Sequence, residues 1–186
     1  MRGADLPITL ALMLIRRETP EDAAAVRAVH STAFAVAEAP DRVPVEADLV
    51  DALRATGAWL PALSLVCAGA EGEILGHVVC TRASIGDEPA ALGLGPLAVA
   101  PAWQRRGAGS ALMHAVLGAA DALDEPVVVL LGHTEYYPRF GFRPARELGI
   151  MPPVAEWGAH FMARPLSAYR PSLRGPFAYA APFNDL

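Results

Sequence analysis

The chain has 186 residues, 53% of them hydrophobic, so it can bury a sizeable core as one globular domain and is not globally disordered. Fifteen basic against twenty acidic residues give a formal net charge of −5. An acidic chain is repelled by phosphate backbones and anionic membranes, which argues against nucleic acid or membrane as the main partner but leaves room for a local basic patch on a phosphorylated cofactor.

Near the start, Arg2 and the apolar stretch Leu6–Ile15 loosely imitate a signal peptide. Pro7 breaks that stretch, and Arg16, Arg17 and Glu18 follow it in place of a small-residue cleavage site. No run reaches the roughly 18 apolar residues of a spanning helix. Residues 1–12 read as an extension or a mis-called start ahead of Met13, residues 13–186 as a single domain, and the expected location is cytoplasmic.

Met13–Arg17 reads as a short strand. Thr19-Pro20-Glu21-Asp22 reads as a helix start: an N-cap, a proline at the first helical position and carboxylates in the first turn. Val26, Val29, His30 and Phe34 then recur at helical spacing. Ala35–Pro44 is loop-like. Glu46–Ala55 is a second helix, with Gly57 just past its end. Leu63–Ala68 and Ile74–Ile85 form a hairpin around Gly69-Ala70-Glu71-Gly72-Glu73, and Ala91–Val99 adds a third strand. Gly109–Leu123 is a buried helix and Val127–Leu131 a central strand. Tyr136–Phe142 is rich in aromatics, and Phe161–Leu166 predicts a late strand. The two cysteines, Cys67 and Cys80, both lie in buried-strand patterns and read as reduced core thiols. Neither belongs to a CxxC pair, and no histidine cluster has metal-ligand spacing, so no metal is expected.

The segment that carries function runs from Leu97 through Pro101 to Ser110. A strand ends, Gln104-Arg105-Arg106-Gly107-Ala108-Gly109 makes a tight loop, and a long apolar helix opens. Gly107 and Gly109 lack a Cβ, so the backbone can turn sharply and point its N–H groups outward. The first N–H groups of a helix have no internal partners and lie at the positive end of its dipole. Together they suit a phosphate or pyrophosphate, and Arg105 and Arg106 add positive charge. Gly93-Leu94-Gly95-Pro96-Leu97-Ala98 also fits a dinucleotide-binding pattern, but it lies in or before a strand and opens no βαβ unit. No phosphate-loop motif of nucleotide triphosphatases is present.

With these residues in place, the sequence resembles the GNAT acetyltransferase superfamily over roughly residues 13–145. The likeness is most specific in Leu94–Leu112 and in Gly132–Phe142. The latter, Gly132-His133-Thr134-Glu135-Tyr136-Tyr137-Pro138-Arg139-Phe140-Gly141-Phe142, looks like the family's second signature, an aromatic-Tyr-x-x-apolar-Gly-Phe segment after the fifth strand. Phe161-Met162-Ala163-Arg164-Pro165-Leu166 resembles a bacterial subgroup. The resemblance implies an α/β (α+β) fold with a mixed, mostly antiparallel sheet, splayed between strands 4 and 5 and flanked by helices. It implies acetyl-CoA as cosubstrate, with the pantetheine arm on backbone groups of Leu97, Ala98 and Val99, the pyrophosphate on the amides of Arg105, Arg106, Gly107, Ala108, Gly109 and Ser110, and Gln104 at the start of the cofactor-binding loop. An amide near Leu97 would polarise the thioester carbonyl.

The reaction it implies is direct attack of an amine on the thioester, with Tyr137 protonating the departing thiolate. A phenol of pKa about 10 and a thiolate of comparable basicity match for this task. Tyr136 is the runner-up, and either tyrosine could instead be a packing aromatic. The family often uses a strand-4 glutamate as base, but Leu92–Val99 holds no carboxylate. His133 is the nearest titratable candidate, with an ordinary pKa of about 6.5. A helix-capping role for it stands equally open. Glu46 and His77 are weaker candidates, Arg139 is expected in a structural ion pair, and His30 at the edge of the core. Pro138 removes one N–H from the short helix. The missing strand carboxylate keeps a non-catalytic acyl-CoA sensor in play, as well as transfer to a hydroxyl or of another acyl group. The acceptor, a small amine or a peptide or protein amine, is expected to be met mainly by Ala35–Leu53 and the tail. The resemblance also makes a homodimer an expected assembly.

Overall fold

The computed structural model describes residues 13–36 and 43–185. The expected extension 1–12 lies outside these residues, as does part of the loop Ala35–Pro44.

The chain opens with β1 (Leu14–Arg17) and a 3-10 turn, Pro20–Asp22, that leads into α1 (Ala23–Ala33). Thr19 begins the turn as its pattern predicts. Its N–H donates to Asp22 Oδ2 at 2.8 Å, and Arg16 clasps the same carboxylate at 2.6 and 2.9 Å. The Arg16 bonds hold the Asp22 carboxyl well below the usual range. α2 (Val45–Arg54) follows and ends before Gly57.

A meander of β2 (Trp59–Ala68), β3 (Ile74–Ile85) and β4 (Glu88–Val99) comes next. β2 starts earlier than its apolar pattern, because the ladder to β3 slips between Trp59 and Ser64, around Pro61. A proline has no N–H for the ladder and is accommodated at such irregularities. α3 (Ala108–Ala122) then crosses over to β5 (Val127–Leu131), which lies parallel to β4. Parallel neighbours require such a crossover, and the helix covers the sheet face it passes.

Along the sheet the order is β1-β2-β3-β4-β5, continued by β8 (Phe161–Pro165) and β6 (Arg143–Pro144). Every pairing on this path other than β4–β5 is antiparallel. The late strand expected at Phe161–Leu166 is β8. β6, β7 (Ile150–Met151) and β9 (Gly175–Ala178) had no pattern to announce them, since runs of two to four residues carry no readable period. β9 returns the tail to β3 through Ser84↔Ala178 and Ile85↔Phe177.

One face of the sheet packs on α3, where Leu112, Met113 and Val116 are fully buried against Leu65, Val78 and Leu92. Each such side chain contributes about 1.5–3 kcal/mol on leaving water. The other face is covered by α1 and α2 through Val26, Val50 and Val66, and farther along by Phe161, Leu173 and Phe177. Both cysteines are buried free thiols, and burial raises both pKa values, so each stays protonated as a core residue.

Candidate active site

β4 and β5 are paired at only two positions, Leu92↔Val128 and Gly93↔Val129. Beyond them the strands part. β4 carries an extra residue here, because Val78 faces Leu97 while Cys80 faces Leu94. Gly95 supplies the necessary backbone at φ +147°, and Pro96 has no N–H to lose from a ladder. This is the splay between strands 4 and 5 that the family resemblance implies, and it begins at a bulge in β4.

The hydrogen-bond alternation of β4 decides which groups line the gap. Ala100 N–H donates to Leu75 O at 2.8 Å, toward β3. In an antiparallel ladder every second residue turns the same way, so Ala98, opposite His77, also faces β3. Leu97 and Val99 therefore turn their main-chain groups to the gap. Val99 O accepts a hydrogen bond from Gln104 Nε2 at 3.1 Å, which ties the following turn to this strand edge.

That turn follows a 3-10 segment, Pro101–Trp103. Arg105 has φ +59° and Gly107 φ +94°, so the chain reverses through left-handed backbone before α3. Among the described residues, the N–H groups from Arg105 to Ser110 donate no main-chain hydrogen bond, whereas Ala111 N–H already bonds Gly107 O at 2.9 Å. Arg105 and Arg106 are exposed, with the Arg106 guanidinium over the Trp103 ring at 5.5 Å. The result is a cluster of outward N–H groups and two mobile cations at the positive end of a helix.

At the mouth of the fork a cavity of about 600 Å³ opens. β4 contributes Leu94–Leu97, and the end of β5 contributes Leu131, Gly132 and His133. Tyr137 faces it from the 3-10 turn Tyr137–Phe140. Its ring packs against Gly132, where an added Cβ would collide with Tyr137 Cε2 and Cδ2. Burial, aided by the neighbouring Tyr136, pushes the Tyr137 phenol up to about 12. Tyr136 points elsewhere, with its hydroxyl beside Gly109 at the start of α3 and the Arg139 guanidinium 4.8 Å from its ring centre. His133 is exposed on the rim. Its carbonyl, not its ring, receives the Tyr136 and Tyr137 N–H groups at 3.0 and 3.3 Å. Arg139 forms no ion pair among the described residues and instead bonds Glu135 O at 3.2 Å, contrary to expectation.

Three cavity residues come from the tail: Trp157, Tyr179 and Phe183. An added Cβ on Gly93 would meet the Tyr179 ring at 2.6 Å, so this ring lies on the last paired position of the fork. Burial raises the Tyr179 pKa, keeping it a neutral phenol. α2 contributes Glu46 and Leu49, and Phe34 closes the side next to α1. Glu46, a weak candidate in sequence, is the one carboxylate on the cavity wall among the described residues. His77 and His30 do not reach the cavity. Both are fully buried, with His30 Nε2 2.9 Å from His77 Nδ1 and His77 Nε2 3.2 Å from Glu18 Oε2. His30 is expected at the core's edge, but lies inside, where His77 on β3 satisfies one of its ring nitrogens. Among the described residues no cluster of side chains could hold a metal ion.

A bulged strand parted from a parallel neighbour, with a turn of outward N–H groups at its end and a cavity at its fork, matches the frame of an acyltransferase. Residues 62–144 match the family described as Acetyltransferase (GNAT) domain. The uncharacterized N-acetyltransferase YjhQ of Escherichia coli K12 is 36% identical over 168 residues, 87% of this chain and 88% of its own. The uncharacterized N-acetyltransferase YhbS of the same strain is 32% identical over 134 residues, 72% of this chain and 75% of its own. The crystal structure of Escherichia coli YhbS in complex with CoA superposes with a TM-score of 0.83 at 27% identity, covering 98% of this chain and 96% of that one. A GNAT acetyltransferase from Brucella melitensis in complex with acetyl-CoA gives 0.74 at 34% identity, covering 93% and 99%. The chain belongs to the GNAT acetyltransferase family, and it is an enzyme of the N-acetyltransferase type.

Proposed function

We propose that this protein transfers an acetyl group from acetyl-CoA to a primary amine in the cavity at the fork. The observation that carries the reading is the parted edge of β4, where Leu97 borders the cavity that Tyr137 faces and Val99 is tied to the turn whose Arg105–Ser110 N–H groups donate no main-chain hydrogen bond. The related structures crystallised with CoA and acetyl-CoA support the choice of cosubstrate.

The residues fit the cosubstrate. Strand-edge groups of Leu97 and Val99 would bind the peptide-like arm, and Ala98, turned to β3, holds them in register. Arg105, Arg106 and the N–H groups from Gly107 to Ser110 would hold the pyrophosphate, with Gln104 fixing the turn to Val99. Acetyl-CoA supplies the activated acyl group: the amine nitrogen forms the new C–N bond, the C–S bond breaks, and the thiol departs with a proton. Tyr137 is the donor of that proton. Its raised pKa keeps it a neutral phenol at physiological pH. Desolvation raises the basicity of a departing thiolate in the same way, so the two remain matched. His133, on the rim, takes the first proton of the ammonium and passes it to solvent, and the second, lost by the nitrogen once the C–N bond has formed, returns to Tyr137.

Calorimetry with CoA tests the first half: no measurable affinity would end the reading. For the second half, Tyr137→Phe is expected to lower kcat by about 10²-fold while CoA binding persists. Binding without turnover across a broad amine panel would favour the sensor alternative, which the absence of a carboxylate from Leu92–Val99 motivates.

A further inference from the structure

The wall of the fork cavity is unusual in composition. Five aromatic side chains line it: Phe34, Tyr137, Trp157, Tyr179 and Phe183. Against them, among the described residues, stands a single carboxylate, Glu46, in the first turn of α2. Among the described residues no arginine faces the cavity, and the chain contains no lysine at all.

We infer that the acceptor is a small primary amine with an aromatic or similarly apolar body and no carboxylate, its ammonium drawn in by Glu46; this rests on the acetyl-transfer reading above. Each part follows from the wall. An ammonium finds an opposite charge in Glu46 and quadrupole attraction from the aromatic faces. An apolar body gains by leaving water against the rings. A carboxylate on the acceptor, as in a free amino acid, would be desolvated beside Glu46 with no arginine or lysine on the described wall to pair with it. A strongly hydrated polyamine would bring further charges into an apolar lining that offers them one partner. The volume of about 600 Å³ is that of a small-molecule site. In the balanced reaction the ammonium and thioester give amide, thiol and one released proton, so Glu46 binds the cation and His133 then accepts its proton.

The test uses the full chain saturated with CoA and calorimetric titration of three probes: 2-phenylethylamine, L-phenylalanine and spermidine. 2-Phenylethylamine is expected to bind at least about tenfold more tightly than either of the others, a difference calorimetry resolves. Glu46→Gln is expected to weaken it about tenfold and to leave CoA affinity unchanged, while Phe183→Ala weakens it without changing its preference over L-phenylalanine. Equal or tighter binding of L-phenylalanine or spermidine overturns the inference, as does an unchanged affinity in Glu46→Gln. The two readings fail separately. Loss of CoA binding ends the transfer reading, whereas the same titrations on the free protein still decide the acceptor class. Initial rates of thiol release must follow the same order of amines, and the absence of lysine removes ε-amine self-acetylation as a background.

Discussion

The Arg82 guanidinium reaches across β4 to grip the Glu125 carboxylate with two hydrogen bonds of 2.6 Å each. Arg82 faces Leu92 across β3–β4, and Leu92 faces Val128 across β4–β5. The ion pair thus clamps the closed end of the fork. Glu125 is 9% exposed, while the Arg82 side chain keeps 32% of its surface in water, which moderates the cost of losing the pair. Glu125→Ala is expected to lower unfolding free energy by about 1–3 kcal/mol, read by urea denaturation. An unchanged midpoint would show that β4 and β5 hold together without the clamp.

Gly132 makes room for the proposed acid. A methyl there would occupy the space of the Tyr137 ring edge, at 2.2 Å. Gly132→Ala is therefore expected to move Tyr137 and reproduce most of the Tyr137→Phe loss, about 10–10²-fold in kcat. CoA affinity should hold, because the pyrophosphate turn is elsewhere. A drop in CoA affinity with kcat intact would reverse the assignment of these two regions.

Gly107 sits at φ +94°, where an L side chain is strained. Gly107→Ala is expected to cost about 1–2 kcal/mol of backbone strain. If the turn relaxes to avoid that strain, the N–H groups of Gly107–Ser110 lose their common aim and CoA binding weakens by about tenfold or more. Isothermal titration reads this directly. Wild-type affinity in this variant would argue that the phosphates bind elsewhere.

The buried network behind β3 predicts a pH dependence. His30 Nε2 meets His77 Nδ1 at 2.9 Å, Ser64 Oγ meets His77 Nε2 at 2.9 Å, Ser64 also bonds Glu18, and Arg54 holds Glu18 at 2.6 Å. Burial, with the facing His77, pulls the His30 pKa down to about 3, and burial lowers His77 against the pull of Glu18. In the unfolded chain both titrate near 6.5. Below pH 6.5 the unfolded state therefore takes up protons that the fold refuses, and stability falls with acidification. Burial alone would raise the Glu18 carboxyl, but hydrogen bonds from His77 and Ser64 with the charge of Arg54 hold it at about 2. Its contribution is present above 4.5 and is lost as pH falls toward about 2.

Each refused proton contributes a slope of about 1.4 kcal/mol per pH unit. His30→Gln, which keeps a donor for His77, should remove about one proton from the slope between pH 6.5 and 4.5. Stability curves at several pH values decide it. A slope identical to wild type would mean that His30 is protonated in the fold.

Much of the molecule was legible because its signals are local. Helix starts, the apolar period of α3 and the β-branched run of β5 depend on neighbours within a few residues, as does the turn from Gln104 to Ser110, whose two glycines and helix start act through steric freedom and unpaired N–H groups. So does the Tyr segment that brings Tyr137 after β5. The acceptor side was not legible. Glu46 gains meaning only because α2 folds over the fork, and Trp157, Tyr179 and Phe183 arrive from a tail whose strands are too short to show a period. His30 and His77 lie 47 residues apart, and Glu18 lies 59 from His77, so no spacing rule connects them. The sequence alone determined the turn from Gln104 to Ser110 and its outward N–H groups, because those are set by short-range sterics and dipoles. Only tertiary structure decided how β4 and β5 part and which side chains meet in the gap, because these follow from the packing of remote segments against one another.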